Sequence, residues 1–167
     1  MPSVSPVQLT SYLRPGSVWL DVDAADKAAL LRAVADCLAA AGPPLDPQTV
    51  ADLLTARERL ASTGVGHGVA IPHASVATIE TPRLCLLRVR AAIDFDAIDA
   101  APVRLVVGVL APPNAQALHL RLLARVARLV QAPLMREALL AAHSADDAYS
   151  LIDAADSGRA PEPVHGA

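Results

Sequence analysis

Between Asp23 and Ala40, Leu30, Leu31, Val34 and Leu38 recur on one face, and this spacing predicts an amphipathic helix. Asp23 is read as its N-cap, with Asp26 three residues on, and Gly42-Pro43-Pro44 as its stop. Asp46-Pro47 restarts a helix, a capping residue followed by proline at the first helical position, with Val50, Leu53, Leu54 and Leu60 as its buried stripe. The pattern then changes. Arg83–Val89 and Val103–Leu110 are Leu- or Val-rich runs of strand length, and the second is apolar almost throughout, as an interior strand covered on both faces would be.

Between those runs Ile93-Asp94-Phe95-Asp96-Ala97-Ile98-Asp99 alternates apolar and acidic residues, which predicts a short exposed strand or turn. Pro112-Pro113-Asn114 closes the region, and a long helix follows from about Ala115 to Gln131. Leu118, Leu122, Val126 and Leu129 mark its buried face, with His119 one position beside that stripe. Pro133 opens another helix through Ala142, and Ser144–Asp147 caps a last one with Tyr149 and Ile152 inward. Residues 1–8 are expected to be a loose N-terminal segment, and residues 156–167, rich in Gly, Pro, Glu and Ala, a disordered tail. Helices before, strands in the middle and helices after predict an α/β domain with helices packed over a sheet.

Composition narrows the function. The 167 residues suit one domain, and with one Trp, two Tyr and one Phe the core must rest on Leu, Val, Ile and Ala. A net charge of -3 argues against a nucleic-acid partner, which calls for a basic face. The chain has no apolar run long enough for membrane insertion and no signal-peptide pattern, so it reads as a soluble cytoplasmic protein. Cys37 and Cys85 lie in apolar surroundings without CxxC spacing and read as small buried hydrophobes.

The chemistry is concentrated in Thr63-Gly64-Val65-Gly66-His67-Gly68-Val69-Ala70-Ile71-Pro72-His73. Three alternate glycines permit a sharp turn and close approach to a ligand, and two histidines offer nucleophilic or proton-carrying nitrogens. Arg57 and Arg59 add guanidinium forks, and Ser62 and Thr63 add hydroxyls, so the surroundings suit phosphate. No Gly-Lys-Ser/Thr follows the glycines, and the third glycine comes one position early for a dinucleotide fingerprint. A metal held by His67 and His73 is disfavoured, because no further ligand stands at suitable spacing. His73 and His119, each at the end of a strand-like segment, are expected to meet. His143 and His165 read as surface residues.

Arg57-Glu58-Arg59, Ser62-Thr63-Gly64-Val65-Gly66 and Gly68-Val69-Ala70-Ile71-Pro72-His73 resemble the signature of phosphotransferase-system enzyme IIA of the fructose/mannitol/nitrogen class. Ile93–Asp99, Pro102-Val103 and His119-Leu120 match as well, and the resemblance runs from about Leu9 to Ile152, nearest the nitrogen-regulatory branch. It implies one type-2 IIA domain over residues 9–155, with a central mixed β-sheet flanked by α-helices and no metal or organic cofactor. It also implies that His73 accepts a phosphoryl group from an HPr-like phosphocarrier, with His119 supporting and Arg57, Ser62, Thr63, Gly64 and Gly66 shaping the phosphate site. His67 departs from the pattern, where relatives are expected to carry asparagine or another polar residue. The regulated partner stays open, as does a homodimer. Two alternatives remain beside the regulatory carrier: a sugar-transport IIA that hands phosphate to a IIB domain, and a phosphate-independent regulatory binding module.

Overall fold

The apolar run Val103–Ala111 forms β6, the strand on which the sheet is assembled, in a computed structural model that describes residues 5–159. Along one edge β6 pairs antiparallel with β5 (Arg83–Ile93), which pairs in parallel with β1 (Leu13–Val22) at the sheet margin. Along its other edge β6 takes two short parallel strands in succession, β3 (Val69–Ala70) and then β4 (His73–Ser75). An antiparallel β2 (Gly64–Gly66) completes the margin, giving six strands in the order β1-β5-β6-β3-β2 with β4 also on β6. The sheet is mixed, as expected.

Helices cover both faces. On one lie α1 (Lys27–Ala39) and α2 (Pro47–Leu60), packed over Cys85, Leu87, Val106 and Leu110. On the other lie α3 (Gln116–Gln131), α4 (Pro133–Ala141) and α5 (Ala145–Asp156), packed over Leu84, Leu86, Val107 and Val109. The two sets alternate along β5 and β6, which is how a doubly covered strand divides its side chains. Cys37 and Cys85 are free and buried.

Several local expectations need correction. Asp26, not Asp23, caps α1, its carboxylate accepting the Ala29 N–H at 2.8 Å, while Asp23 forms an exposed pair with Arg90. Leu60 is 82% exposed. Six residues beyond Leu54 at about 100° each, it lies roughly 120° around the helix from the buried stripe. Of the exposed strand or turn expected at Ile93–Asp99, the turn stands at Ile98-Asp99, while Ile93, Phe95 and Ala97 are buried and their acidic neighbours face out. β1 was not expected at all. Pro15-Gly16 breaks its pattern, and a sheet margin is where proline is tolerated. α5 continues through Asp156, which accepts the Thr10 N–H at 2.8 Å and meets Arg125 at 3.5 Å. The remainder of the expected tail from residue 160 on, His165 included, and residues 1–4 lie outside the described residues.

Two arginines on β5 are buried, and each closes the C-terminus of a helix. Arg83 donates to the carbonyls of Leu38, Ala39 and Pro43 at the end of α1. Arg88 donates to those of Leu139, Leu140 and Ala142 at the end of α4 and pairs with Asp21. Five positions apart on a strand, the two side chains leave opposite faces, so each reaches one helical layer. Cations at helix C-termini satisfy carbonyls that the helix itself leaves free. Replacing Asp26 by alanine should cost about 1 kcal/mol in urea unfolding, whereas Asp23→Ala should change stability by less than about 0.5 kcal/mol.

Candidate active site

The segment from Glu58 to His73 links the end of α2 to the sheet, and its hydrogen bonds fix the His73 imidazole. β3 ends at Ala70, opposite Val106, and β4 resumes at His73, opposite Val109. Ile71 and Pro72 fill the gap, and Pro72 has no N–H to give to a ladder. Its carbonyl still accepts the Val109 N–H at 3.0 Å. Within this break the His73 Nδ1 lies 2.8 Å from the Ile71 carbonyl oxygen. A carbonyl only accepts, so Nδ1 carries the proton and Nε2 keeps the lone pair. His73 is half-buried, with a free nucleophilic nitrogen.

His119 occupies the first turn of α3, just past the end of β6. Alternation puts Ala74 on the α1–α2 face, so His73 faces α3. The two imidazoles meet edge to face, with ring centroids 5.7 Å apart and planes at 83°. His119 Nε2 is buried and has no hydrogen-bond partner. The Ala115 N-cap gives no side-chain hydrogen bond to the first turn of α3 either, so that turn has no side-chain cap.

Both histidines are held neutral. Burial lowers the His73 pKa below the usual 6.5, opposed by the Ile71 carbonyl and Glu58 and reinforced by the Arg57 guanidinium. Burial also lowers that of His119, with the facing His73 adding to the effect.

The other expected site residues divide into those near the pair and those away from it. Arg57 is close enough to act on His73 electrostatically, and it donates to the Ala61 carbonyl at 2.9 Å. The Ser62 hydroxyl donates to the Phe95 carbonyl at 3.0 Å and accepts the Gly64 N–H at 3.1 Å. Thr63 turns inward too: its N–H and hydroxyl both donate to the Glu58 carboxylate. Gly64 lies against the loop after β5, where a Cβ would come within 2.7 Å of the Ala97 methyl. Gly66 stands opposite Val69 at the far end of β3, four residues along β6 from His73, or about 13 Å at roughly 3.3 Å per residue.

His67 and Gly68 are the two central residues of the β2–β3 hairpin, with φ of 56° and 75°. Positive φ at both positions is what a type I′ hairpin turn demands, and asparagine or glycine fits it best. The Asp99 carboxylate braces the turn by accepting the His67 N–H at 2.9 Å. His67 therefore stands at the hairpin tip, away from the two imidazoles. Among the described residues no group of three or more His, Cys, Asp or Glu side chains is placed to hold a metal.

Glu58, beside Arg57 in the sequence, is a buried acid at this site. Its side chain is 5% exposed and meets Lys27 at 2.9 Å. Lys27 stands 4.7 Å above the Phe95 ring and 3.4 Å from Asp96. Its place beside Arg57 was the available signal, but spacing alone could not tell a buried acid from a solvated one.

The chain matches the family described as phosphoenolpyruvate-dependent sugar phosphotransferase system, EIIA 2, over residues 11–155. It is 35% identical to a nitrogen regulatory protein of Pseudomonas aeruginosa over 92% of this chain and 99% of that one. It is 29% identical to the fructose-specific EIIABC component of Bacillus subtilis over 90% of this chain, which is 24% of that larger protein. The crystal structure of nitrogen regulatory protein IIA-Ntr from Neisseria meningitidis superposes with a TM-score of 0.81 at 32% identity, covering 86% and 98% of the two chains. The chain belongs to the type-2 enzyme IIA family of the phosphotransferase system. It is a phosphoryl-carrying component of that system, homologous both to nitrogen-regulatory and to sugar-specific members. The enzyme IIA of the Escherichia coli mannitol system, solved in complex with phosphorylated IIB, shares the fold at 21% identity with a TM-score of 0.71.

Proton titration followed by NMR should give His73 and His119 midpoints below 6.5; a His73 midpoint at or above 6.5 would contradict the desolvated site. In the hairpin, His67→Asn should leave stability unchanged or raise it by a few tenths of a kcal/mol. His67→Val should cost about 1–2 kcal/mol, because a β-branched residue resists the left-handed region. Urea unfolding reads both.

Proposed function

We propose that His73 accepts the phosphoryl group from an HPr-like phosphocarrier in the cytoplasm, and that the domain spanning residues 9–155 acts as a nitrogen-type regulator. The observation that carries this reading is the arrangement of the two imidazoles. Nδ1 of His73 is tied to the Ile71 carbonyl, which leaves Nε2 free beside a buried, unpartnered nitrogen of His119.

The Nε2 lone pair of His73 attacks phosphorus in line, and the bond from phosphorus to the donor's histidine nitrogen breaks with its electron pair returning to that ring. Nδ1 keeps its proton throughout, and the Ile71 carbonyl offsets the positive charge that the ring acquires. His119 and the Arg57 guanidinium stabilise the phosphoryl oxygens, and the uncapped first turn of α3 adds main-chain donors of the kind that bind anions. Ser62 and Thr63 contribute through the backbone turn that their hydroxyls hold, and Gly64 and Gly66 through the hairpin that this turn enters. No step needs a metal.

Leu60 and Leu120 are 82% and 68% exposed, at the ends of the helices that carry Arg57 and His119. Exposed apolar side chains on the helices that carry Arg57 and His119 suit a protein donor. Phosphorylation adds roughly -1.5 to -2 charges at that surface, enough to change the affinity of a regulatory partner without refolding.

Incubation with phosphoenolpyruvate, enzyme I and the phosphocarrier should add one acid-labile phosphate. His73→Ala should abolish it, and His119→Ala should slow it by about a hundredfold. Equal labelling of wild type and His73→Ala would overturn the assignment. Onward transfer to a IIB domain would mark the sugar-transport reading instead.

A further inference from the structure

We infer that Glu58 is a positioning residue for phosphoryl transfer, setting the tautomer and place of the His73 ring through Thr63 and Ile71 without touching the phosphoryl group. The inference rests on His73 as acceptor and adds the device that prepares it.

The connection runs through three consecutive links. Both carboxylate oxygens of Glu58 accept the Thr63 N–H at 3.0 Å, and the Thr63 hydroxyl donates to the same carboxylate. The Thr63 carbonyl accepts the Ile71 N–H at 2.9 Å. The Ile71 carbonyl accepts the His73 Nδ1–H at 2.8 Å. Each contact fixes the residue that makes the next one, so the carboxylate anchors the peptide whose oxygen selects the protonated nitrogen. Ile71 lies buried in the gap between β3 and β4, its neighbour Pro72 is held by the Val109 N–H, and its own N–H is fixed by the Thr63 carbonyl.

Glu58 is itself held from two sides. Lys27, at the start of α1, meets it at 2.9 Å and also contacts the Asp96 carboxylate and the Phe95 ring. Burial pushes the Glu58 carboxyl up, but the Thr63 and Lys27 hydrogen bonds outweigh it and the group stays ionised, with its pKa below the usual value. A buried carboxylate with three converging donors is a rigid support, and removing its charge leaves those donors poorly matched.

The test compares Glu58→Gln with wild type in two measurements. Ring-nitrogen NMR shifts above the histidine titration range report the His73 tautomer, and steady-state transfer from the phosphocarrier separates kcat from KM. Glu58→Gln should move His73 from Nδ1–H toward Nε2–H and lower kcat about tenfold with KM nearly unchanged, as expected for a misplaced nucleophile. Glu80→Gln, an exposed acid outside the site, should change neither. A folded Glu58→Gln variant that keeps the Nδ1–H tautomer and wild-type kcat would overturn the inference, and so would a loss of thermal stability alone. If Glu58→Gln does not fold, Thr63→Val decides on the same two readouts, since it deletes the hydroxyl donor and keeps the N–H. Absence of labelling on wild-type His73 would defeat the acceptor reading by itself, while the tautomer comparison would still decide the role of Glu58.

Discussion

Everything at the site depends on how the free edge of β6 is paired. A strand buried on both faces needs partners for its main-chain groups along both edges, because buried N–H and C=O groups are costly to leave unpaired. β5 satisfies one edge over nearly its whole length. The other edge is shared by two strands too short to stand alone, β3 and β4, separated by Ile71 and Pro72. The break between them frees a carbonyl for the His73 ring, and the register of β4 sets that ring beside the first turn of α3. The place of the His73 ring, its tautomer and its contact with His119 thus follow from one interrupted ladder.

Charge inside this molecule is placed by the same accounting. Arg83 and Arg88 are buried where helix carbonyls need donors, and Glu58 where Thr63 and Lys27 supply them. The histidines, by contrast, are kept neutral by burial, and His119 retains a nitrogen without a partner. The buried ions thus serve the structure, though Nε of Arg88 and Arg125 stay unpartnered, while the buried neutral nitrogen without a partner is that of His119 beside His73. A site that must take on and give up a phosphoryl group benefits from donors not already committed to neighbours.

Much of this was legible in the residues. The spacing of Leu30, Leu31, Val34 and Leu38, the Asp46-Pro47 start, the continuous apolar run of β6 and the Ser144 cap all describe local preferences that tertiary packing had no reason to override. β1 escaped because Pro15-Gly16 reads as a break, while a marginal strand tolerates both. Leu60 was misplaced because an apolar residue at a helix end need not share the angle of the stripe. Ser62 and Thr63 suggested free hydroxyls, yet both turn to internal partners, Phe95 and Glu58, that lie 33 and 5 positions away. Asp23 and Asp26 show the finer limit, since either could cap a helix and only backbone geometry chose between them.

By itself the sequence determined the helices, the long strands β5 and β6, the family, and the two histidines worth pairing, because periodicity and short motifs record local conformational preference and chemistry. Only the tertiary structure decided that His73 presents Nε2, that Glu58 is buried behind it, and that Gly66 and His67 belong to a remote hairpin tip. Those outcomes depend on hydrogen bonds and strand register between segments far apart in the chain. No local pattern of residues carries the direction in which a side chain turns once such segments meet.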